Sequence, residues 1–284
     1  MYPAKFDYYR AGSVNEALAL LQQHSDAKLI AGGHSLLPAM KLRLAAPSAL
    51  IDIGRIGDLK GISVSGNTAT IGALTTHAMI AAANHLPAAF TEAAGWIGDP
   101  QVRNRGTVGG NIAHADPASD LPTVLVALGA TVNVVGRGGR RSIAAADFFV
   151  DFFATALGDG EIVASVSVPL DGAAGSAYAK MFNPASRYAI VGAAAVVKVS
   201  NGLCNQASVA VGGLTPKATA ASAVAAALVG KALSEANIAA AAAKVADDLG
   251  DNVTGDIHAS ADYRQAMAPV YVARAIREAA ARAR

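Results

Sequence analysis

Two pairs of adjacent glycines constrain this chain more than any other feature. Gly32-Gly33 stands in Ala31-Gly32-Gly33-His34-Ser35, and Gly109-Gly110 stands in Gly106-Thr107-Val108-Gly109-Gly110-Asn111. Adjacent glycines carry no Cβ and adopt positive φ freely. Main-chain N–H groups can then converge on an anion in a nest, with Thr107 and Asn111 adding side-chain hydrogen bonds at its edge. A β-carbon at Gly110 is expected to intrude on such a nest. A tight turn explains one such pair alone. The second pair is followed by Ala115-Asp116-Pro117-Ala118-Ser119-Asp120-Leu121-Pro122, which supplies carboxylates and hydroxyls. Two glycine segments and an acidic residue suit a ligand with a pyrophosphate and a ribose.

The chain around the first pair reads as strand, glycine turn and helix start. Ser13-Val14-Asn15-Glu16 is a capping box opening a helix that fades near His24. Lys28 to Ala31 predicts a short buried strand. Ser35 is placed to cap a helix over 36–44, with Pro38 in its first turn, and a helix start favours an anion. Ala49 to Ile53 predicts a second strand, so this β-α-β-α-β order makes a small α/β unit ending near Arg55. A hairpin around Ser65-Gly66-Asn67 follows, then helices started by Thr75 or Thr76 and by Leu86-Pro87. The segment around the second pair reads as a loop. Ser119 or Asp120 caps a helix that closes at Gly129, so Asp120 is either an N-cap or a ligand contact.

Beyond it, strands are expected at 130–135 and around Ser142, and a helical stretch over 147–157. A strand over 161–169 is expected to carry Ile162, Ala164, Val166 and Val168 on one side. Asp171-Gly172-Ala173-Ala174-Gly175-Ser176 is small, flexible and polar, and marks a boundary. After it the pattern is strands, then helices. Asn201-Gly202 is a type I′ hairpin signal. The last helix contains Pro269, which should kink or split it near 265–268.

Composition narrows the function. The single cysteine, Cys204, excludes an internal disulfide, a CxxC pair, a four-cysteine zinc site and an iron–sulfur cluster on this chain; it reads as a small buried residue in a strand. HExxH, GxSxG, GxxxxGK[ST] and GxGxxG are all missing, which argues against a Rossmann NAD-dependent dehydrogenase. Net charge is +2 with scattered basic residues, so no nucleic-acid face is expected. No strongly apolar run is long enough for a membrane span. With no secretory pattern at its start, the chain is expected in the cytoplasm.

The sequence resembles the FAD-binding medium subunits of molybdenum hydroxylases, the family of aerobic carbon monoxide dehydrogenase and of the xanthine dehydrogenase flavin domain. The likeness runs from Tyr2-Pro3-Ala4-Lys5-Phe6-Asp7-Tyr8 through Leu29 to Pro38 and Thr70 to His77. It is densest from Thr107 to Pro122 and extends to Ile257–Arg264. The resemblance implies an α+β chain. A two-part α/β FAD-binding module, like that of vanillyl-alcohol oxidase relatives (PCMH type), would occupy 1–172, with subdomains of about 1–55 and 56–172. A smaller α+β domain with a three-stranded antiparallel sheet and helices would occupy 173–284. It also implies site residues. Leu29, Ile30, Ala31, Gly32, Gly33, His34, Ser35 and Leu36, with Gly109, Gly110 and Asn111, would wrap the FAD pyrophosphate, and Thr107 would line the same pocket. Ile97 would pack on the flavin and Asp120 would contact the ribose–adenine side. Ile162 or Val163, and Lys180, would be further contacts. A cation at Lys180 would stabilise reduced flavin. Met181-Phe182-Asn183-Pro184-Ala185-Ser186 stands where many relatives carry a basic run.

The function implied is electron transfer, with no catalytic side chain and no metal on this chain. A large subunit would hold the molybdenum cofactor and a small subunit the [2Fe-2S] clusters. FAD on this chain would pass electrons to an acceptor, and the assembly would be a heterotrimer that can dimerise. A stand-alone FAD oxidase needs a catalytic base beside the flavin, and none is identifiable. A non-enzymatic nucleotide-binding or assembly module is the remaining alternative.

Overall fold

Three short parallel strands form the first layer. The computed structural model describes residues 1–284. Strand β1 (Asp7–Arg10), helix α1 (Val14–Gln23), β2 (Lys28–Ile30), α2 (Leu36–Lys41) and β3 (Ala49–Asp52) follow one another, and the sheet order is β1-β3-β2. Tyr8 lies opposite Leu50, and Leu29 opposite Ile51. Ser13 caps α1 by accepting from the Glu16 amide at 3.1 Å, while the Glu16 carboxylate accepts from Gly12 at 2.7 Å. Ser35 makes no side-chain cap, and α2 stops at Lys41, short of the expected end. β2 is half-buried rather than buried, because it is an edge strand of a small sheet.

The second layer is a five-stranded antiparallel sheet with helices packed on it. Strands β4 (Ile62–Ser65) and β5 (Thr68–Gly72) form the expected hairpin. Then come α3 (His77–Ala81), α4 (Ala88–Trp96), α5 (Pro100–Arg105), α6 (Val108–His114) and α7 (Asp120–Ala127). The chain returns through β6 (Thr131–Gly136) and β7 (Gly139–Ala144). It continues through α8 (Ala145–Phe148), β8 (Phe149–Asp151), β9 (Ala154–Thr155) and β10 (Ile162–Pro169). The sheet order is β4-β5-β10-β6-β7.

Two expectations change here. A bulge in β10 between Val163 and Ser165 breaks the one-sided alternation, since the extra residue flips the face. Ile162 packs with Ile51 and Val135, whereas Val163, Val166 and Val168 join the main core around Phe90 and Leu125. The stretch 147–157 is a single helical turn and then the β8–β9 hairpin, turned by Phe153 at φ 50°.

The third layer is a four-stranded antiparallel sheet: β11 (Gly175–Phe182), β12 (Ala189–Ser200), β13 (Leu203–Gly212) and β14 (Thr219–Ala220). Three strands are long, as the resemblance implies, and the fourth has two residues. Asn201 and Gly202 have φ of 52° and 76°, as a type I′ turn requires. Helices α9 (Ser222–Leu228), α10 (Glu235–Ala243), α11 (Val245–Leu249) and α12 (Ala261–Arg282) follow, and Cys204 is buried in β13. Pro269 does not split α12, which is one helix of 22 residues. Buried Ala268, Val272, Ala275, Ile276 and Ala279 place apolar contacts on both sides of the proline. Their burial outweighs the roughly 3 kcal/mol of an interior proline. Helix α7 lies between the second and third layers, and all of its residues are buried. No helix is long and apolar enough to cross a membrane.

Candidate functional site

The two glycine segments meet, and each glycine has a different task. A β-carbon on Gly32 would lie 2.3 Å from the Arg105 carbonyl oxygen and 3.0 Å from the Gly106 Cα. Gly32 therefore lets the β2–α2 loop touch the end of α5. Gly33 has φ 76°, which turns the chain toward α2. The amides of Gly32, Gly33, His34 and Ser35 donate to no protein acceptor. His34 turns its Nδ1 to the Gly32 carbonyl at 2.9 Å. This loop is a run of four unsatisfied donors on the surface, the arrangement that binds an anion.

The second pair is not such a nest. Thr107 caps α6, and both Gly109 and Gly110 lie in its first turn without positive φ. Their amides are already used. Val108 donates to Thr75 at 3.0 Å, Gly109 to Ala73 at 2.8 Å and Asn111 to the Thr107 carbonyl at 3.0 Å. Gly110 donates to the Thr107 hydroxyl at 3.2 Å. Gly109 serves close packing, because a β-carbon there would lie 2.5 Å from the Ala73 Cβ. Gly110 is exposed, and a β-carbon there would meet only the Thr107 hydroxyl, at 3.0 Å. The expectation that a side chain at Gly110 fills an anion nest is corrected accordingly.

Between the two segments lies a cleft of about 480 Å³, within the range of cofactor sites. Ile30, Ala31, Gly32 and Thr107 line it, together with Tyr8, Arg10, Asp52, Arg55, Lys60, Thr76, Asn104 and Arg105. Four of these residues are cationic and one is acidic. The acid is occupied: Asp52 accepts from the Tyr8 hydroxyl at 2.5 Å and from the Gly54 amide at 2.8 Å. The cleft therefore presents net positive charge beside free amides, which suits a diphosphate. The sequence reading missed Arg55, Lys60 and Arg105. Their signal was position just after β3, before β4 and at the end of α5, where strand and helix ends converge.

His77 supports this site from behind. It is buried, and its amide donates to the Gly106 carbonyl at 3.1 Å. A β-carbon on Gly106 would lie 2.8 Å from its ring, and its Nδ1 has no partner. Burial, with nearby His34, lowers its pKa to about 4, so the ring is neutral at pH 7.

The other expected contacts lie apart from this cleft. Leu29 is in β2, and Ser35 and Leu36 begin α2. Ile97 ends α4 and packs on the main core. Ile162 is buried in the first-layer core and does not line the cleft. The Asn111 side-chain oxygen accepts from the Ser119 hydroxyl at 2.8 Å.

Asp120 is not the cap of α7; Ser119 is. The Asp120 carboxylate accepts from the Tyr178 hydroxyl at 2.6 Å and from the Lys180 ammonium at 2.8 Å. The Lys180 side chain has 0% exposure and that of Asp120 4%. The expectation of a free cation at Lys180 gives way to a buried ion pair. Burial pushes the Asp120 carboxyl up and the Lys180 ammonium down, each opposed by the other's charge. Burial and the neighbouring carboxylate hold the Tyr178 phenol well above its usual range, so it remains a donor.

Residues 4–171 match the family described as the FAD binding domain in molybdopterin dehydrogenase. The chain belongs to that family. Residues 176–279 match the CO dehydrogenase flavoprotein C-terminal domain. The flavoprotein is 41% identical to the carbon monoxide dehydrogenase medium chain of Hydrogenophaga pseudoflava, covering 99% of each chain. It is 40% identical to the 6-hydroxypseudooxynicotine dehydrogenase complex subunit alpha of Paenarthrobacter nicotinovorans, covering 100% of this chain and 97% of that one. It also matches the solved carbon monoxide dehydrogenase from Hydrogenophaga pseudoflava lacking the Mo-pyranopterin moiety of its cofactor. That match has a TM-score of 0.95, 42% identity and full coverage of both chains. The residues around the cleft fit FAD: free amides and cations for its diphosphate, and the Ile30, Ala31 and Leu74 side chains for apolar contact. The flavoprotein carries no cluster of three or more His, Cys, Asp or Glu positioned to hold a metal ion.

Proposed function

We propose that this chain is the electron-transferring medium subunit of a cytoplasmic molybdenum hydroxylase. Its partners are a small [2Fe-2S] subunit and a large molybdenum subunit, in a heterotrimer that can dimerise. Residues 1–172 hold FAD and residues 173–284 complete its surroundings. The observation that carries this reading is the run of free amides from Gly32 to Ser35, which starts at Gly32 on the wall of a cleft that Arg55, Lys60 and Arg105 also line.

Bound FAD supplies the ability to take electrons from a one-electron donor and release them to an acceptor. The chain's own groups bind and orient it. The 32–35 amides and the cleft cations take the diphosphate oxygens, and Thr107 fixes the start of α6 beside them. Gly109 sets how closely α6 approaches Ala73. Ile97 and the buried Asp120–Lys180 pair stand outside the cleft and take no part in holding the diphosphate. No side-chain nucleophile or general base takes part. The test is the visible absorption spectrum of the purified chain, with the heat-released cofactor identified by chromatography. Released FAD supports the reading. A colourless chain that also fails to take up added FAD refutes it.

A further inference from the structure

The contact between α7 and the third-layer sheet is built from polar groups fitted into glycine notches. Tyr178 and Lys180 on β11 both bond to Asp120, the first residue of α7. Gly192, opposite Lys180 in the ladder, makes room for the phenol, since a β-carbon there would lie 2.5 Å from the Tyr178 hydroxyl oxygen. Gly212 does the same for Thr123 of α7, whose hydroxyl would lie 2.1 Å from a β-carbon. Main-chain bonds join the same seam, from Ala189 to Ala118 at 3.1 Å and from Gly213 to Pro117 at 2.9 Å. One residue before Asp120, Ser119 donates to Asn111 of α6. The seam is thus connected to the glycine-bearing helix through adjacent residues.

A buried ion pair is a poor source of net stability, because desolvation offsets the attraction; an apolar replacement is often neutral. In some proteins such a pair supplies uniqueness of docking instead. An apolar α7 could settle on β12 and β13 at several offsets, whereas only one places Asp120 against Tyr178 and Lys180 of β11. We propose that Asp120, Tyr178 and Lys180 are positioning residues that fix a single docking of the β11–β14 sheet on α7, and through Ser119 and Asn111 fix the pose of α6. The docking claim rests on this geometry alone. Its consequence for the cofactor rests on the reading of the cleft as an FAD site.

Trp96 is the only tryptophan of the chain and reports on this seam. It ends α4, packs its ring against Phe182 of β11 at a 35° tilt with centroids 5.4 Å apart, and accepts from Lys180 through its carbonyl at 3.4 Å. It is 37% exposed. The experiment compares the full-length protein with Lys180→Met, Tyr178→Phe and the charge-neutral double variant Lys180→Met/Asp120→Asn. It reads thermal midpoint, acrylamide quenching of Trp96, and FAD affinity. Lys180→Met strands a buried carboxylate, so its midpoint falls most or it fails to fold. The double variant regains most of the midpoint but keeps a loosened seam, with the Trp96 quenching constant raised about twofold. Its FAD affinity falls on the order of tenfold. Tyr178→Phe lies between wild type and the double variant in quenching. Midpoint and quenching recovering together would overturn the proposal, because the triad would then be a stabilising contact only. A double variant as unstable as the single one would also overturn it. Failure of the wild-type protein to bind FAD would refute the cofactor reading, while quenching would still decide the docking claim.

Discussion

Gly32→Ala is the most informative single change. The new β-carbon would sit 2.3 Å from the Arg105 carbonyl oxygen and 2.9 Å from its carbon. Both are backbone atoms, so no side chain can swing away. An ordinary carbon–oxygen contact needs the β2–α2 loop and the end of α5 to separate by about 1 Å. Overpacking of this kind costs about 1–3 kcal/mol, and each kcal/mol lowers the midpoint of a domain of this size by about 2–4 °C. The same displacement moves the 32–35 amides away from Thr107 across the cleft. FAD affinity should fall on the order of tenfold, equivalent to about 1.4 kcal/mol. Flavin fluorescence titration and differential scanning calorimetry read the two effects separately. Gly110→Ala is the control, since its β-carbon meets only the Thr107 hydroxyl. If Gly32→Ala binds FAD like wild type with an unshifted midpoint, the two glycine segments do not touch in solution and the cleft is wrongly assembled.

Three further outcomes follow from the same geometry. Gly110→Ala should leave FAD binding within about threefold and raise the midpoint slightly, because alanine favours a helix over glycine by about 1 kcal/mol; abolished binding would restore the anion-nest reading of that pair. Gly109→Ala, driven into Ala73, should lower the midpoint by several degrees in calorimetry. His77, with its pKa lowered to about 4, binds its proton less readily folded than unfolded. Stability should therefore be complete above about pH 6.5 and fall toward pH 4, by up to roughly 3 kcal/mol. Urea midpoints measured from pH 7 to pH 4 should show this slope, and His77→Gln should flatten it.

Much of the fold was legible because its signals are local. The Ser13–Glu16 cap, the Asn201-Gly202 turn and the alternating strands each declare themselves within a few residues. The site was legible only as a pair of motifs. Gly32-Gly33 and Gly109-Gly110 look alike in sequence, yet one leaves its amides free and the other spends them on Ala73 and Thr107. Partners far along the chain decide that difference. Helices α5 and α6 were hidden because six and seven residues are too few for a helical period to show. Gly109 and Gly110 also lower the intrinsic propensity of α6. The β8–β9 hairpin was missed because its turn uses a phenylalanine at positive φ, which no composition rule anticipates. Asp120 and Lys180 are 60 residues apart, so only the docking of α7 on the third-layer sheet brings them together.

The burial of α7 has a consequence during synthesis. This helix is complete when the ribosome has passed Ala127, but β13, part of the sheet that covers it, ends only at Gly212. At about 5–20 residues per second the interval is on the order of ten seconds. For that time an apolar helix has half of its surroundings missing, and the carboxylate at its start has neither lysine nor phenol. The nascent flavin module is then a natural client for a chaperone that recognises exposed apolar segments. Destabilising changes in β12 or β13 should appear in cells as loss of soluble protein before any change in the colour of what remains.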